Sequence, residues 1–165
     1  MGFKHVLASS ASKEVRILRF DREPLHGFVQ SPGFQTDIGI EFLSQEGNLA
    51  VIPYADVKAI CFIQDFDDVA ARLDGAHFIS RPKKAGLWVR LRFRDGASMD
   101  GILSGSLLQL DPHGYTLAPP DQGVNPQRLF VPRAALTDLQ VLAVVGGTAK
   151  KPAKTPVPET QAKLF

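Results

Sequence analysis

Val89, Leu91 and Phe93 alternate with Arg90, Arg92 and Arg94, the period of two that marks a strand with one buried and one solvated face. Asp95-Gly96 follows as a hairpin signal. The same stretch continues with an apolar run from Gly101 to Leu110, a turn at Asp111-Pro112-His113-Gly114 and a short strand over Tyr115 to Leu117. A loop over Pro119 to Pro126 then precedes strands at Leu129 to Val131 and Leu136 to Val145. An upstream stretch reads alike: a strand over Val15 to Phe20, a turn and second strand around Pro24 and Gly27, and a loop at SPGFQ (31–35). Ile38 to Leu43 and Leu49 to Ile52 form strands about a Gly47-Asn48 turn, and Tyr54-Ala55-Asp56 is a single helical turn before Val57 to Ile63.

These two stretches are copies of one pattern of about fifty residues. EVRILRF (14–20) answers WVRLRFR (88–94), and Asp21, Gly27, Phe28 and Val29 answer Asp95, Gly101, Ile102 and Leu103. AVIPYADVKAICFI (50–63) answers LFVPRAALTDLQVL (129–142), with Pro53, Ala55, Val57 and Ile60 against Pro132, Ala134, Leu136 and Leu139. Alignment on the glycines and alignment on the Arg-Phe pairs differ by one residue, which predicts a bulge at the first hairpin. The organisation that follows is an N-terminal strand (Phe3 to Leu7) and link in 1–14, copy one in 15–63, a connection in 64–86, copy two in 87–146 and a tail in 147–165. The connection is acidic at first (Asp65, Asp67, Asp68, Asp74) and basic at its end (Arg81, Lys83, Lys84), with a strand expected over His77 to Ser80. Pro152, Pro156 and Pro158 among Lys150, Lys151, Lys154 and Lys163 predict a disordered tail.

Composition narrows the classes only slightly. Hydrophobic residues make up 44%, enough for a globular body, and the net charge of +2 does not by itself imply a nucleic-acid or membrane partner. Cys61 is the only cysteine, so no intramolecular disulfide can form, and a thiol within AICFI reads as a small buried hydrophobe in a reducing compartment. The first residues lack a signal-peptide core and no window approaches a membrane span, so a cytoplasmic location is expected.

Five short strands, a glycine in the second and a single helical turn before the last resemble the SH3-like and Sm-like small barrels. VRLRFRDG, GILSGSLLQLD and LFVPRAALTDLQVL are similar to the strand pattern of the bacterial Sm-like RNA chaperones. IPYADVKAICFIQDF and GLWVRLRFRDG resemble an uncharacterised bacterial family with this duplicated layout, which implies no established activity. The expected fold is therefore all-β, two tandem SH3-like/Sm-like small barrels with a disordered C-terminal tail.

Chemistry is sparse. His5, His26, His77 and His113 are scattered with no metal-ligand spacing, so no metal or cofactor is expected. GILSG (101–105) has the wrong spacing for a nucleophile elbow, and GGTAKK (146–151) lacks the loop and helix of a phosphate-binding motif. Against the cyclic-dinucleotide readers of the PilZ type, Ser98 and Gly101 match but Gly96 stands where an acid or amide belongs. A non-enzymatic interaction module is the leading reading; a ligand-binding or enzymatic barrel would need a pocket lined by converging polar groups, as a groove between the two units could supply.

Two binding surfaces are candidates. Arg90, Arg92 and Arg94 share one strand face, and Arg16 holds the corresponding place in copy one, a stripe able to contact phosphates of RNA or single-strand DNA. The competing reading is a solvated outer face whose arginine stems cover apolar surface. Gln161-Ala162-Lys163-Leu164-Phe165 resembles the peptide by which bacterial replication and repair proteins grip the DNA polymerase sliding clamp. That resemblance implies Leu164 and Phe165 in an apolar pocket and Gln161 hydrogen-bonded at its rim, with Lys163 departing from the usual small or acidic residue.

Overall fold

Alternating side chains put one face of each strand into a core, and the turn residues set where each strand reverses. The computed structural model describes residues 12–62, 75–105, 111–120 and 128–146. Within them lie β1 (Ser12–Arg19), β2 (Arg22–Gln30), β3 (Gly39–Ser44), β4 (Leu49–Pro53), β5 (Val57–Phe62), β6 (Gly86–Phe93), β7 (Ser98–Leu103), β8 (Gly114–Ala118), β9 (Arg128–Pro132) and β10 (Leu136–Val145). Single 3-10 turns at Tyr54–Asp56 and Arg133–Ala135 precede β5 and β10. The fold is all-β, and no helix among the described residues is long and apolar enough to cross a membrane. The expected strand at Phe3 to Leu7 and the tail from 147 lie outside the described residues, while His77 to Ser80 is irregular chain rather than a strand.

The strands form one ten-stranded sheet in the order β10-β6-β7-β8-β9-β5-β1-β2-β3-β4, open at both ends among the described residues, so the halves expected as tandem barrels share a single sheet. The physical cause is the seam between β5 and β9. Ile60 pairs with Phe130, Cys61 with Leu129 and Phe62 with Arg128, so the last strand of copy one hydrogen-bonds to the fourth strand of copy two. Each half nevertheless keeps its own core. One gathers Val15, Ile17, Ile40, Phe42, Val57, Ile60, Phe62 and Phe130; the other gathers Ala59, Cys61, Val89, Leu91, Phe93, Met99, Leu129 and Val131. Alternate residues of β5 and β9 thus enter opposite cores. This explains why these strands read as unbroken apolar runs instead of alternating ones. Each fully buried side chain of this size contributes roughly 1.5–3 kcal/mol relative to leaving it in water. Phe34 adds edge-on ring contacts to Phe62 (5.6 Å) and Phe130 (5.3 Å) at the seam.

The two halves share a pairing pattern. Val15 pairs with Gly27 across β1–β2 as Val89 pairs with Gly101 across β6–β7. β6–β7 runs without a register shift, whereas β1 shifts between Ile17 and Arg19 against β2, which accounts for the one-residue offset between the copies. The two glycines meet a close neighbour. A Cβ on Gly27 would lie 2.1 Å from the Leu43 carbonyl oxygen, and one on Gly101 would lie 2.5 Å from Leu117 Cδ1. β2 and β7 can therefore press against the next strand, to which only Gly27↔Ser44 and Phe28↔Leu43, or Ile102↔Ala118 and Leu103↔Leu117, connect them.

Candidate functional site

Strict register across β6–β7 sets Arg90 opposite Asp100, on the face turned away from Val89, Leu91 and Phe93. Residues 75–78 return over this face: Gly75 N–H donates to the Ser98 carbonyl and Asp100 N–H to the Ala76 carbonyl, both at 2.8 Å. Asp100 is wholly buried beneath them. Its Oδ1 accepts from Arg90 Nε (2.7 Å) and contacts His77 Nδ1 (2.8 Å). Its Oδ2 accepts from Arg90 Nη2 (3.1 Å), Trp88 Nε1 (3.0 Å) and Phe78 N–H (3.2 Å). Burial alone would raise the carboxyl pKa, but the bonds from Arg90, then His77, Trp88 and the Phe78 amide outweigh it and hold the group well below the usual carboxylate range.

His77 Nε2 lies 3.4 Å from Ser98 Oγ, so Ser98, His77 and Asp100 stand in the order of a nucleophile, a base and its orienting acid. The chemistry does not follow the order. The serine contact is long, and the carboxylate is already neutralised by the two-pronged Arg90. What the cluster does is fasten 76–78 onto the sheet.

The four arginines of the proposed stripe have separate roles. Arg90 is committed to Asp100. Arg92 is exposed, opposite Ser98 on β7 and Asp138 on β10. Arg94 donates to the carbonyls of Ala55 and Ala134, one in each 3-10 turn, and stacks 4.0 Å over Phe20, while Lys58 pairs with Asp95 at 2.9 Å. These contacts tie the halves together. Arg16 lies in the other half on β1, between His26 and Cys61, and four strands separate β1 from β6. Burial, and then the Arg16 charge, press the His26 pKa below its ordinary value. Burial pushes the Cys61 thiol up to about 12, against the opposing pull of Arg16, so it is the inert hydrophobe expected.

A cleft of about 470 Å³ opens where the 31–35 loop of one half meets β8 and β9 of the other. Arg128 lies 4.4 Å above the Phe62 ring and donates to Ser31 Oγ at 3.4 Å. Asp111 accepts from Thr116 Oγ1 (2.6 Å) and Gln35 Nε2 (3.0 Å), while Gln35 Oε1 is buried with no hydrogen-bond partner among the described residues. The volume falls within the range of small-ligand pockets, but its carboxylate is engaged by its neighbours. No group of three or more His, Cys, Asp or Glu side chains converges for a metal among the described residues. His113, expected in a turn, stacks on Tyr54 at 4.8 Å.

Sequence reasoning missed Asp100 and Arg128. Asp100 had a usable signal: once Val89 is set against Gly101 across the Asp95-Gly96 hairpin, Arg90 must face Asp100. Gln161, Leu164 and Phe165 lie outside the described residues. Residues 11–143 match the model of a family of unknown function (DUF6982). No curated protein and no solved structure matches the chain.

Proposed function

The chain belongs to this family of unknown function, and we propose that it works as a non-enzymatic interaction module in which two small SH3-like or Sm-like barrel units share one sheet. The support is the division of its side chains. Groups suited to chemistry are spent on internal contacts, as at Asp100, Lys58–Asp95 and Arg94. Of the large apolar residues left exposed among the described residues, Leu49, Val51, Val141, Leu142 and Val144 lie on the two outermost strands, and Ile38 and Ile79 lie in connecting chain. That distribution suits partner binding better than turnover.

We further propose a bacterial sliding clamp as the partner, recruited through Gln161, Leu164 and Phe165. Burying Leu and Phe is worth about 3–6 kcal/mol, of which ordering the peptide removes about 2–5, so the contact is weak and suited to reversible recruitment. The full chain, titrated against immobilised clamp, should bind saturably, and the L164A/F165A variant should not. No binding at high-micromolar clamp, or binding that survives both substitutions, refutes the reading. The alternative, RNA or single-strand DNA on Arg16, Arg90, Arg92 and Arg94, rests mainly on exposed Arg92. Salt-sensitive binding of a single-stranded oligonucleotide that falls in R92A would favour it.

A further inference from the structure

Because the chain is a repeat, its internal seam is also a template. β9 holds in copy two the place that β4 holds in copy one, each ending in a proline and a 3-10 turn. β10 likewise answers β5. The seam joins β5 to β9, so what remains at the two ends of the sheet is one edge of each kind, β4 and β10. We propose that β4 of one chain pairs with β10 of a second copy, repeating the seam between molecules.

The internal register fixes the external one. Ile60↔Phe130, Cys61↔Leu129 and Phe62↔Arg128 translate to Leu139↔Val51, Gln140↔Ala50 and Val141↔Leu49. The three β10 residues this requires lie between its two register shifts against β6, one between Leu136 and Asp138 and one between Val141 and Ala143, so they form an even stretch of strand. Their surfaces fit. Val141 (53% exposed) would meet Leu49 (63%), and Val51 (42%) takes the position that the fully buried Phe130 fills at the seam.

Among the described residues the edges are also poorly guarded against such pairing. Exposed edge strands are ordinarily blunted by inward charges or lysines. β4, LAVIP, carries no charge, and β10 carries only Asp138. An undefended apolar edge opposite a complementary one is explained by its being covered. The contact is head-to-tail, since β4 meets β10 and never itself, so it leads to a ring if the rotation closes and to a filament if it does not.

Sedimentation velocity on the full chain tests this. The wild-type chain should form species larger than its 18.0 kDa monomer, in a concentration-dependent way. V51K and V141K change exposed positions, so each should keep the wild-type circular dichroism spectrum and melt while sedimenting as a monomer. Mixing the two should restore a dimer and nothing larger, because each brings one intact edge. If either variant misfolds, cysteine cross-linking takes its place. Chains carrying L49C and V141C should join by a disulfide when mixed and oxidised, V51C with V141C should not, and L49C alone should not. A wild-type monomer at every concentration overturns the proposal. So does a variant that assembles alone, a mixture that stays monomeric, or cross-linking out of register. The clamp reading stands or falls separately, because these edges lie apart from Leu164 and Phe165 in sequence and the L164A/F165A variant should assemble as the wild type does.

Discussion

Asp100→Asn keeps the shape of the buried acid and removes its charge, and its effect can be worked out from the contacts. Hydrogen bonds to a charged group contribute about 1.5–3 kcal/mol each against about 0.5–1.5 for neutral ones, so every bond that survives loses roughly 1 kcal/mol. Oδ1 and Oδ2 both face donors, so an amide leaves at least one of Arg90, Trp88 or the Phe78 N–H against an NH₂ group. Arg90 is 42% exposed at its side chain and can turn to water, which discounts its share. The net expectation is a loss of about 2–4 kcal/mol, or a fall in Tm of about 5–15 °C for a chain of this length. Urea unfolding followed by fluorescence measures it, because Trp88 is the only tryptophan and its indole N–H is bonded to Asp100.

The pH dependence separates charge from packing. A carboxyl held below its unfolded value contributes stability that is fully present above the ordinary carboxylate range and is lost as pH falls toward the depressed folded value. The gap between wild type and D100N should therefore be present at about pH 5 and should narrow steadily as pH falls toward about pH 2. A loss under about 0.5 kcal/mol at neutral pH, or a gap that does not narrow in acid, would falsify the account of Asp100 as a charged anchor.

Further outcomes follow from the glycines and the thiol. Gly27→Ala forces a Cβ onto the Leu43 backbone carbonyl, whereas Gly101→Ala meets the movable end of Leu117. The first should cost about 2–4 kcal/mol and the second at least 1 kcal/mol less, by denaturant melts of the two variants; equal losses would contradict the strand-crossing geometry. Cys61, with its thiol pushed up to about 12 and fully buried, should resist iodoacetamide in the native protein near neutral pH and react at the rate of unfolding. Rapid native labelling would place the β5 interior in contact with solvent.

Much of the strand layout was legible because it is local. The alternation in WVRLRFR, the Asp95-Gly96 turn and the prolines before each 3-10 turn act within a few residues, and β6, β10 and Tyr54–Asp56 fall where those signals put them. The β5–β9 seam was not legible as a pairing, because it joins residues about seventy apart. Its trace was present in the unbroken apolar runs around Ile60 and Phe130, which read as a good strand but not as a strand with two cores. The arginines show the limit of alternation. Alternation correctly turned Arg90 and Arg92 away from the core, yet an outward direction is not a free surface once 75–78 fold over it. Arg94 illustrates the same point, since only the meeting of two 3-10 turns supplies its carbonyl partners.

The shared seam also governs how this chain can vary over time. Along β5, Ala59 and Cys61 belong to one core and Ile60 and Phe62 to the other. Adjacent positions therefore answer to different neighbours: a volume change at Ile60 calls for compensation near Ile17 or Phe42, and one at Cys61 calls for it near Val89 or Leu91. Across related chains, neighbouring residues of this one short strand should drift independently, while each keeps pace with partners far away in the chain. The strip where the halves meet is thus constrained from both sides at once.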